Sequence, residues 1–451
     1  MQERGLIGKD EFSEIAQIVL EASTADETEV LLGQEISSLT RVANNVIHQH
    51  VSEDNAGLSI RVISGKKQGR STTTKLDKED LRRAVAMATD IALHQKEEPE
   101  LLSLPDPQHY PSLDCFDDET ARFDPMDRTR IVGEAVHRIS SKDLKAAGMF
   151  TTGATIHGIA NSKGLRAYHP STTARFSFTA MSETSSGWCE VMGAHVNELD
   201  TSQAADIAMD KALTGQDPVD LEPGKYRVVL EPAAMTDFLL FMAWCGFGGL
   251  AYNEGRSFMS GKLGKKVLGK NITISDDVTH PMTIGLPFDF EGMPRKRVVM
   301  IDKGVANALV HDRKTALAAN EESTGHALPQ PNIHGPFPLN IVMEPGDSSM
   351  EEMIAETEKG VLVTQFHYTN VIDPQKLIMT GMTRNGTFLI EKGKITRPVK
   401  NLRFTESAIR ALSNVEALTK ERLYCGSFFG GTFVVPGASI RDFSFSSGTT
   451  F

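Results

Sequence analysis

The stretch Tyr226 to Val267 reads YRVVLEPAAMTDFLLFMAWCGFGGLAYNEGRSFMSGKLGKKV. Its β-favouring start predicts a short strand, Glu231-Pro232 a turn, and the run that follows an almost uncharged helix ending in Gly246, Gly248 and Gly249. The apolar core Leu239 to Cys245 is far short of the roughly 20 residues a bilayer requires, so it reads as a helix buried inside a globular protein.

Upstream of it, Glu11 to Ala22 has apolar residues at helical spacing. Strands are expected at Glu29 to Leu32, Leu39 to Val51, Gly57 to Ser64 and Gln68 to Thr74, forming an antiparallel meander. Asp77 with Asp80 marks the start of a helix running to His94, with Leu81, Val85, Ala88, Ile91 and Ala92 on its buried face. From Gln95 to Pro125 the prolines Pro99, Pro105, Pro107 and Pro111 predict a linker. A helix over Asp127 to Ala147, a strand-rich block from Met149 to Asn197 and a helix from Gln203 to Leu213 complete this half.

Downstream, strands are expected at Asn271 to Ile274, Arg297 to Asp302, Leu339 to Met343, Gly360 to Phe366, Thr387 to Glu391 and Gly393 to Pro398. Helices are expected at Ser349 to Lys359 and Thr405 to Glu416, and the end, Gly426 to Phe451, suits sheet edges and turns. The fold class is therefore α+β: an antiparallel-sheet N-terminal region with packed helices, then a larger β-rich C-terminal domain around a buried central helix. The expected divisions are residues 1–100, a linker 101–125, a central segment 126–222 and a C-terminal domain 223–451.

With 451 residues and 40% hydrophobic composition the chain can bury a large core. Its 59 acidic against 47 basic side chains, a net charge of −12, would repel a phosphate backbone. The short basic run Arg295, Lys296, Arg297 is flanked by acids and reads as a solvated loop. Four scattered cysteines, Cys115, Cys189, Cys245 and Cys425, form neither a CxxC pair nor a dense disulfide framework, which suits a reducing cytoplasm. The start MQERGLIGKDEFSEIA carries charges where a signal peptide needs an apolar run, so no secretion signal is expected, and no membrane association.

Chemistry is hard to find by residue type. His48 and His50 share one face of a strand, the spacing of a metal pair, but no carboxylate or cysteine joins them in register. His326, His334 and His367 are isolated and read as hydrogen-bonded structural residues. There is no G-x-S-x-G elbow, and the glycines of GFGGL lack the Lys-Ser/Thr of a phosphate-cradling loop. Those glycines read instead as a helix end that lets a neighbouring backbone approach closely.

Several longer stretches carry more information. SSLTRVANNVIHQHVSEDNAGLSIRVISGKKQGRSTTT near the start, then SFMSGKLGKKV, DFEGMPRKRVVMIDKGVANALVHDRKTA, MTRNGTFLIEKGKITRPVKNLRFTES and the closing CGSFFGGTFVVP, resemble in order and spacing the TldD/PmbA family, which was once described as modulators of DNA gyrase and contains metallopeptidases. The resemblance covers nearly the whole chain.

In the TldD branch the helix after the first C-terminal strand carries HExxxH. Its two histidines bind zinc, its glutamate is the general base on the metal-bound water, and a cysteine near the C-terminus is the third protein ligand. Counting back from SGKLGK, the six residues in that slot are Leu240, Phe241, Met242, Ala243, Trp244 and Cys245, so both histidines and the glutamate are missing. Cys425 in LYCGSFFGG matches the late cysteine.

The resemblance therefore points to the PmbA (TldE) branch, the metal-free partner in a heterodimeric protease that acts on unfolded or extended peptides, including leader peptides and labile antitoxins. It implies no catalytic residue and no cofactor in this chain, with zinc held by an HExxxH-bearing TldD-like subunit. Cys245 and Cys425 fall at two ligand slots, so a structural zinc site built on two thiolates stays open as a minor possibility. A stand-alone metallopeptidase with unrecognised ligands and a homodimeric peptide-binding or regulatory protein are also compatible with the sequence.

Overall fold

In the computed structural model, which describes residues 5–427 and 431–449, the chain builds two sheets, of six and eleven strands. The first four residues of the charged N-terminal stretch, residues 428–430 of the closing CGSFFGGTFVVP stretch and the last two residues of the tail lie outside the described residues.

The first half contains α1 (Lys9–Ala22), β1 (Glu27–Ala43), β2 (Val46–Ser64), β3 (Lys67–Thr73), α2 (Lys78–His94), α3 (Asp118–Ala121), α4 (Pro125–Ser140), β4 (Lys145–Asn161), β5 (Arg166–Met181), β6 (Ser186–Gly193) and α5 (Thr201–Thr214). Its strands pair in the order β3-β2-β1-β4-β5-β6, every neighbour antiparallel. The segments on either side of the expected linker thus share one sheet, joined where β1 pairs with β4.

Period-2 alternation assigns the two faces. In β4 and β5, Phe150, Ile156, Ala160, Phe176 and Phe178 enter the helix-packed cores, while Arg175, Ser177 and Thr179 face the second half. Asp77 caps α2, its carboxylate accepting from the backbone N–H groups of Glu79 and Asp80.

Three expectations for this half are corrected. The strand expected over Leu39 to Val51 is interrupted by a tight turn, because Asn44 and Asn45 take left-handed φ of 49° and 64° and close the β1–β2 hairpin. The helix expected to reach Ala147 stops at Ser140; Asp143 turns the chain with φ 58° and Lys145 begins β4. The stretch expected to be only a linker holds α3, capped by Asp117.

The second half contains β7 (Gly224–Leu230), α6 (Pro232–Met242), a π-helical turn (Ala243–Phe247), α7 (Gly249–Asn253), β8 (Ile274–Asp276), β9 (Val298–Asp302), β10 (Val305–Ala306), α8 (Arg313–Ala319), β11 (Asn340–Met343), α9 (Met350–Ala355), β12 (Lys359–Asp373), β13 (Ile378–Glu391), β14 (Lys394–Pro398), β15 (Leu402–Ser407), α10 (Ala408–Ser413), β16 (Val415–Gly426) and β17 (Thr432–Gly448). Five strands close a ring: β7 pairs with β12, β12 with β13, β13 with β15, β15 with β17, and β17 again with β7.

Helix α6 is buried throughout from Ala234 to Met242 and packs on β12 and β17. Phe238 meets Phe366 and Phe443 edge-on, and those two rings stack at 5.9 Å. Each fully buried Phe or Leu contributes roughly 1.5–3 kcal/mol, which is why so apolar a helix sits at the centre of its domain. Of the glycines after it only Gly248 acts as expected, ending the helical run where a Cβ would come within 2.6 Å of the Pro336 carbonyl oxygen; Gly246 and Gly249 stay helical, and a Cβ on them would overlap the Phe258 and His311 rings.

The second half brings three further corrections. The segment Thr405 to Glu416 is not one helix, since Leu402, Phe404 and Glu406 alternate inward as a strand and Ser407 then caps the short α10. The tail is no sheet edge: β17 lies inside the sheet, pairing with β11, β16, β7 and β15 along its length. Arg295 is not a solvated loop residue but is buried, and the charges of Asp276 and Asp289 offset only part of the cost of desolvating it.

Candidate functional site

Arg175, Ser177 and Thr179 of β5 and Trp188 and Glu190 of β6 form one wall of a cleft between the two halves. The opposite wall is Ala233, Thr236 and Asp237 of α6, Gln365 to His367 of β12, Arg384 and Asn385 of β13, and Gly426 and Ser427 at the end of β16. This polar cavity measures 430 Å³. A second cavity of 770 Å³, walled by Met181 to Ser186 and by Pro398 to Asn401, shares His367, Arg384 and Asn385 with it.

Specific contacts hold the walls together. Lys211 on α5 pairs with Glu231, the residue before α6, at 2.6 Å. Ser186 Oγ donates to Asn385 Oδ1 at 2.9 Å, and the backbone N–H of Gly426 donates to Glu190 Oε1 at 3.2 Å. Glu190 also pairs with Arg175 at 2.6 Å.

Asp237 is the functional candidate that residue types did not reveal. It is the single charge between Pro232 and Asn253, and that isolation was the available signal. Burial pushes its carboxyl up to about 6, against the lowering effect of a hydrogen bond from Thr369. An acid poised near neutrality in a cleft can accept or donate a proton, or present a hydrogen-bond acceptor to a ligand.

The helix stripe that carries Ala233 and Asp237 continues through Leu240 and Phe241 to Trp244, one turn at a time. This second part lines a different, mostly apolar cavity of 660 Å³ with Cys245, Arg256, Asn370, Val371 and Pro374. The HExxxH slot and the polar cleft are therefore successive segments of one helix face. Leu240 and Phe241 offer a metal no lone pair and exchange no proton, so these side chains do not fit the zinc site that HExxxH would build.

The two cysteines of the slot pattern sit among different charges. Cys245 has Arg256 as its charged neighbour, and burial pushes its thiol up to about 11. Cys425, on β16, lies near Glu190, Cys189 and Glu231, and burial followed by the Glu190 carboxylate raises its thiol further. Among the described residues no group of three or more His, Cys, Asp or Glu side chains is gathered in a way that could hold a metal.

The histidines go to separate places. His48 and His50 lie on β2, where His50 Nδ1 bonds Thr40 Oγ1. His326 is buried against Asp276 at 3.1 Å, His334 packs edge-on against Trp244, and His367 lines both cavities of the cleft. Among the described residues no helix is long and apolar enough to cross a membrane.

Comparison with known proteins agrees with this architecture. Over 96% of this chain and 99% of the other, the fold matches the crystal structure of TldE from Thermococcus kodakarensis with a TM-score of 0.88, at 20% identity. A metalloprotease of Methanocaldococcus jannaschii is 27% identical over 210 residues, 45% of this chain and 46% of that protein. A metalloprotease TldD homolog of Haemophilus influenzae is 31% identical over 163 residues, 35% of this chain and 33% of that one. The chain thus spans less than half the length of these curated relatives. Residues 28–92 match the sequence pattern of the PmbA/TldA metallopeptidase domain 1, and residues 223–447 that of the PmbA/TldA metallopeptidase C-terminal domain. On these matches, at both ends of the chain and in the order the fold requires, the protein belongs to the TldD/PmbA family.

Proposed function

We propose that this chain is the metal-free accessory subunit of a cytoplasmic two-chain metalloprotease, supplying part of a cleft for unfolded or extended peptides while a TldD-like partner with HExxxH holds the zinc. The observation that carries this reading is the slot itself, where Leu240 and Phe241 stand in place of ligand and base. Losing one transition-state group can cost about 3 kcal/mol or more of barrier lowering, and here ligand and base are both replaced.

Trp244 supports a partner at this face. It is 59% exposed within the slot, and the exposed Ile333 and Ile372 adjoin His334, which packs on its ring, and Val371, which lines its cavity. Aromatic anchors in an apolar surround are what protein interfaces are built on.

Co-expression with HExxxH-bearing relatives, size-exclusion analysis and a casein cleavage assay test the proposal. Proteolysis should appear only with the partner, and a chelator should abolish it without changing the thermal unfolding of this chain alone. Metal-dependent cleavage by the purified chain alone would instead favour a stand-alone metallopeptidase. The polar cleft is lined, among the described residues, by this chain's own side chains, which suits as second reading a homodimeric protein that binds peptides without cutting them.

A further inference from the structure

Two of the three Arg and Lys side chains lining the two cavities of the cleft are neutralised, Arg175 by Glu190 and Lys400 by Asp220. The Arg384 side chain has no hydrogen bond or ion pair among the described residues, and it lines both cavities. Its place on β13 is set by a break in pairing: the register with β12 shifts between Val363 and Gln365. Asn385 and Gly386 take up the extra length with φ of 57° and 129°. Bulges of this kind re-aim a side chain beside a site.

Ser427 supplies an independent observation. It is 8% exposed, lines the 430 Å³ cavity, and its Oγ has no hydrogen-bond partner among the described residues. A buried hydroxyl without a partner is destabilising unless something bonds it. Asn385 is also buried, and while its Oδ1 is used by Ser186 its Nδ2 donates to nothing among the described residues.

We propose that Arg384, with Ser427 and Asn385, forms a subsite for a carboxylate carried by an extended peptide. A guanidinium matches a carboxylate with two parallel N–H donors, and a hydroxyl and an amide next to it supply the further donors an anion needs. The ligand carries few negative charges, because Glu183 and Asp217, both without ion-pair partners among the described residues, line the larger cavity and repel a polyanion. It is also longer than a free anion, since the cavities enclose 430 and 770 Å³. The subsite rests on the reading of this cleft as a peptide path. The carboxylate belongs either to the peptide C-terminus or to an acidic side chain.

The probe is a fluorescein-labelled, unstructured peptide with one internal glutamate and a free C-terminus, compared by fluorescence anisotropy with its C-terminal amide, its Glu→Gln form and the doubly neutral form. Wild-type protein should lose about tenfold in affinity when the recognised carboxylate is neutralised, and the form that shows the loss identifies which carboxylate it is. Arg384→Gln should bind all four peptides as weakly as wild type binds the doubly neutral one. Arg384→Lys should recover part of the loss, and Ser427→Ala should weaken the carboxylate-bearing peptides alone. Arg384 is exposed, so folding is not at stake in its variants. Equal wild-type affinity for all four peptides, or an Arg384→Gln loss shared equally by all four, overturns the subsite while leaving the peptide path standing. Failure of wild type to bind any of them overturns both.

Discussion

Thr369 Oγ1 donates a 2.5 Å hydrogen bond to Asp237 Oδ2, fastening a buried carboxyl to β12 one helical turn before Leu240 and Phe241. The contact couples the polar cleft to the apolar slot. It also leaves a titratable group inside the domain core, so the protein should respond to pH at this point.

Asp237 rises from its ordinary 3.8 to about 6 on folding, mainly through burial. A raised folded pKa means stability that is fully present below about pH 4 and lost as pH rises through 6. Asp237→Asn should remove this loss, gaining roughly 3 kcal/mol over wild type at pH 7 and little at pH 4. Urea unfolding midpoints between pH 4 and 8 measure it. A constant difference between the two proteins across that range would contradict the assignment. Thr369→Val should move the titration midpoint upward, because the bond it removes favours the charged form.

Glu291 lies in a buried acid cluster and is pushed up to about 7, by burial first and then by the charges of Asp289 and Asp312. Its contribution to stability is likewise present below its ordinary 4.5 and lost as pH rises through 7. The thermal midpoint of Glu291→Gln should draw ahead of wild type between pH 4.5 and 7 and keep a fixed lead above that window.

Gly246→Ala should destabilise the C-terminal domain by about 1–3 kcal/mol, since the new methyl overlaps the buried Phe258 ring. Gly57→Ala, where no atom lies within 4 Å of the added methyl, is the control. If both variants unfold at the same denaturant concentration as wild type, the turn after α6 is packed differently.

Trp244→Ala removes an exposed side chain, so it should leave the stability of this chain within about 0.5 kcal/mol of wild type. If the slot face is the partner surface, the same change should weaken association with an HExxxH-bearing subunit by about 30-fold, the effect of a hot spot of about 2 kcal/mol. Analytical ultracentrifugation of mixed subunits reads this directly. Unchanged affinity would place the partner elsewhere.

Local pattern was enough for much of the chain. The capped helix after Asp77, the hairpin strands and the buried helix after β7 each announce themselves through periodicity, a capping carboxylate or an uncharged run. Elements that depend on long-range pairing did not. β17 is rich in Gly, Ser and Phe and reads as an edge, yet it runs inside the sheet because its partners β11, β7 and β15 come from positions roughly 40 to 220 residues away. Arg295 sits in a run that looks solvated, and only the fold, which buries it and brings the charges of Asp276 and Asp289 near, shows otherwise.

The sequence alone determined the composition class, the α+β texture, the family resemblance and the absence of an HExxxH motif, because each of these is written in residue identities and their order. Tertiary structure decided that Leu240 and Phe241 share a helix face with Asp237, that the Arg384 side chain is left unpaired among the described residues between two cavities, and that Cys245 and Cys425 sit among different charges. Burial and pairing depend on residues distant in the chain, and they set both the proton affinity of Asp237 and the availability of Arg384.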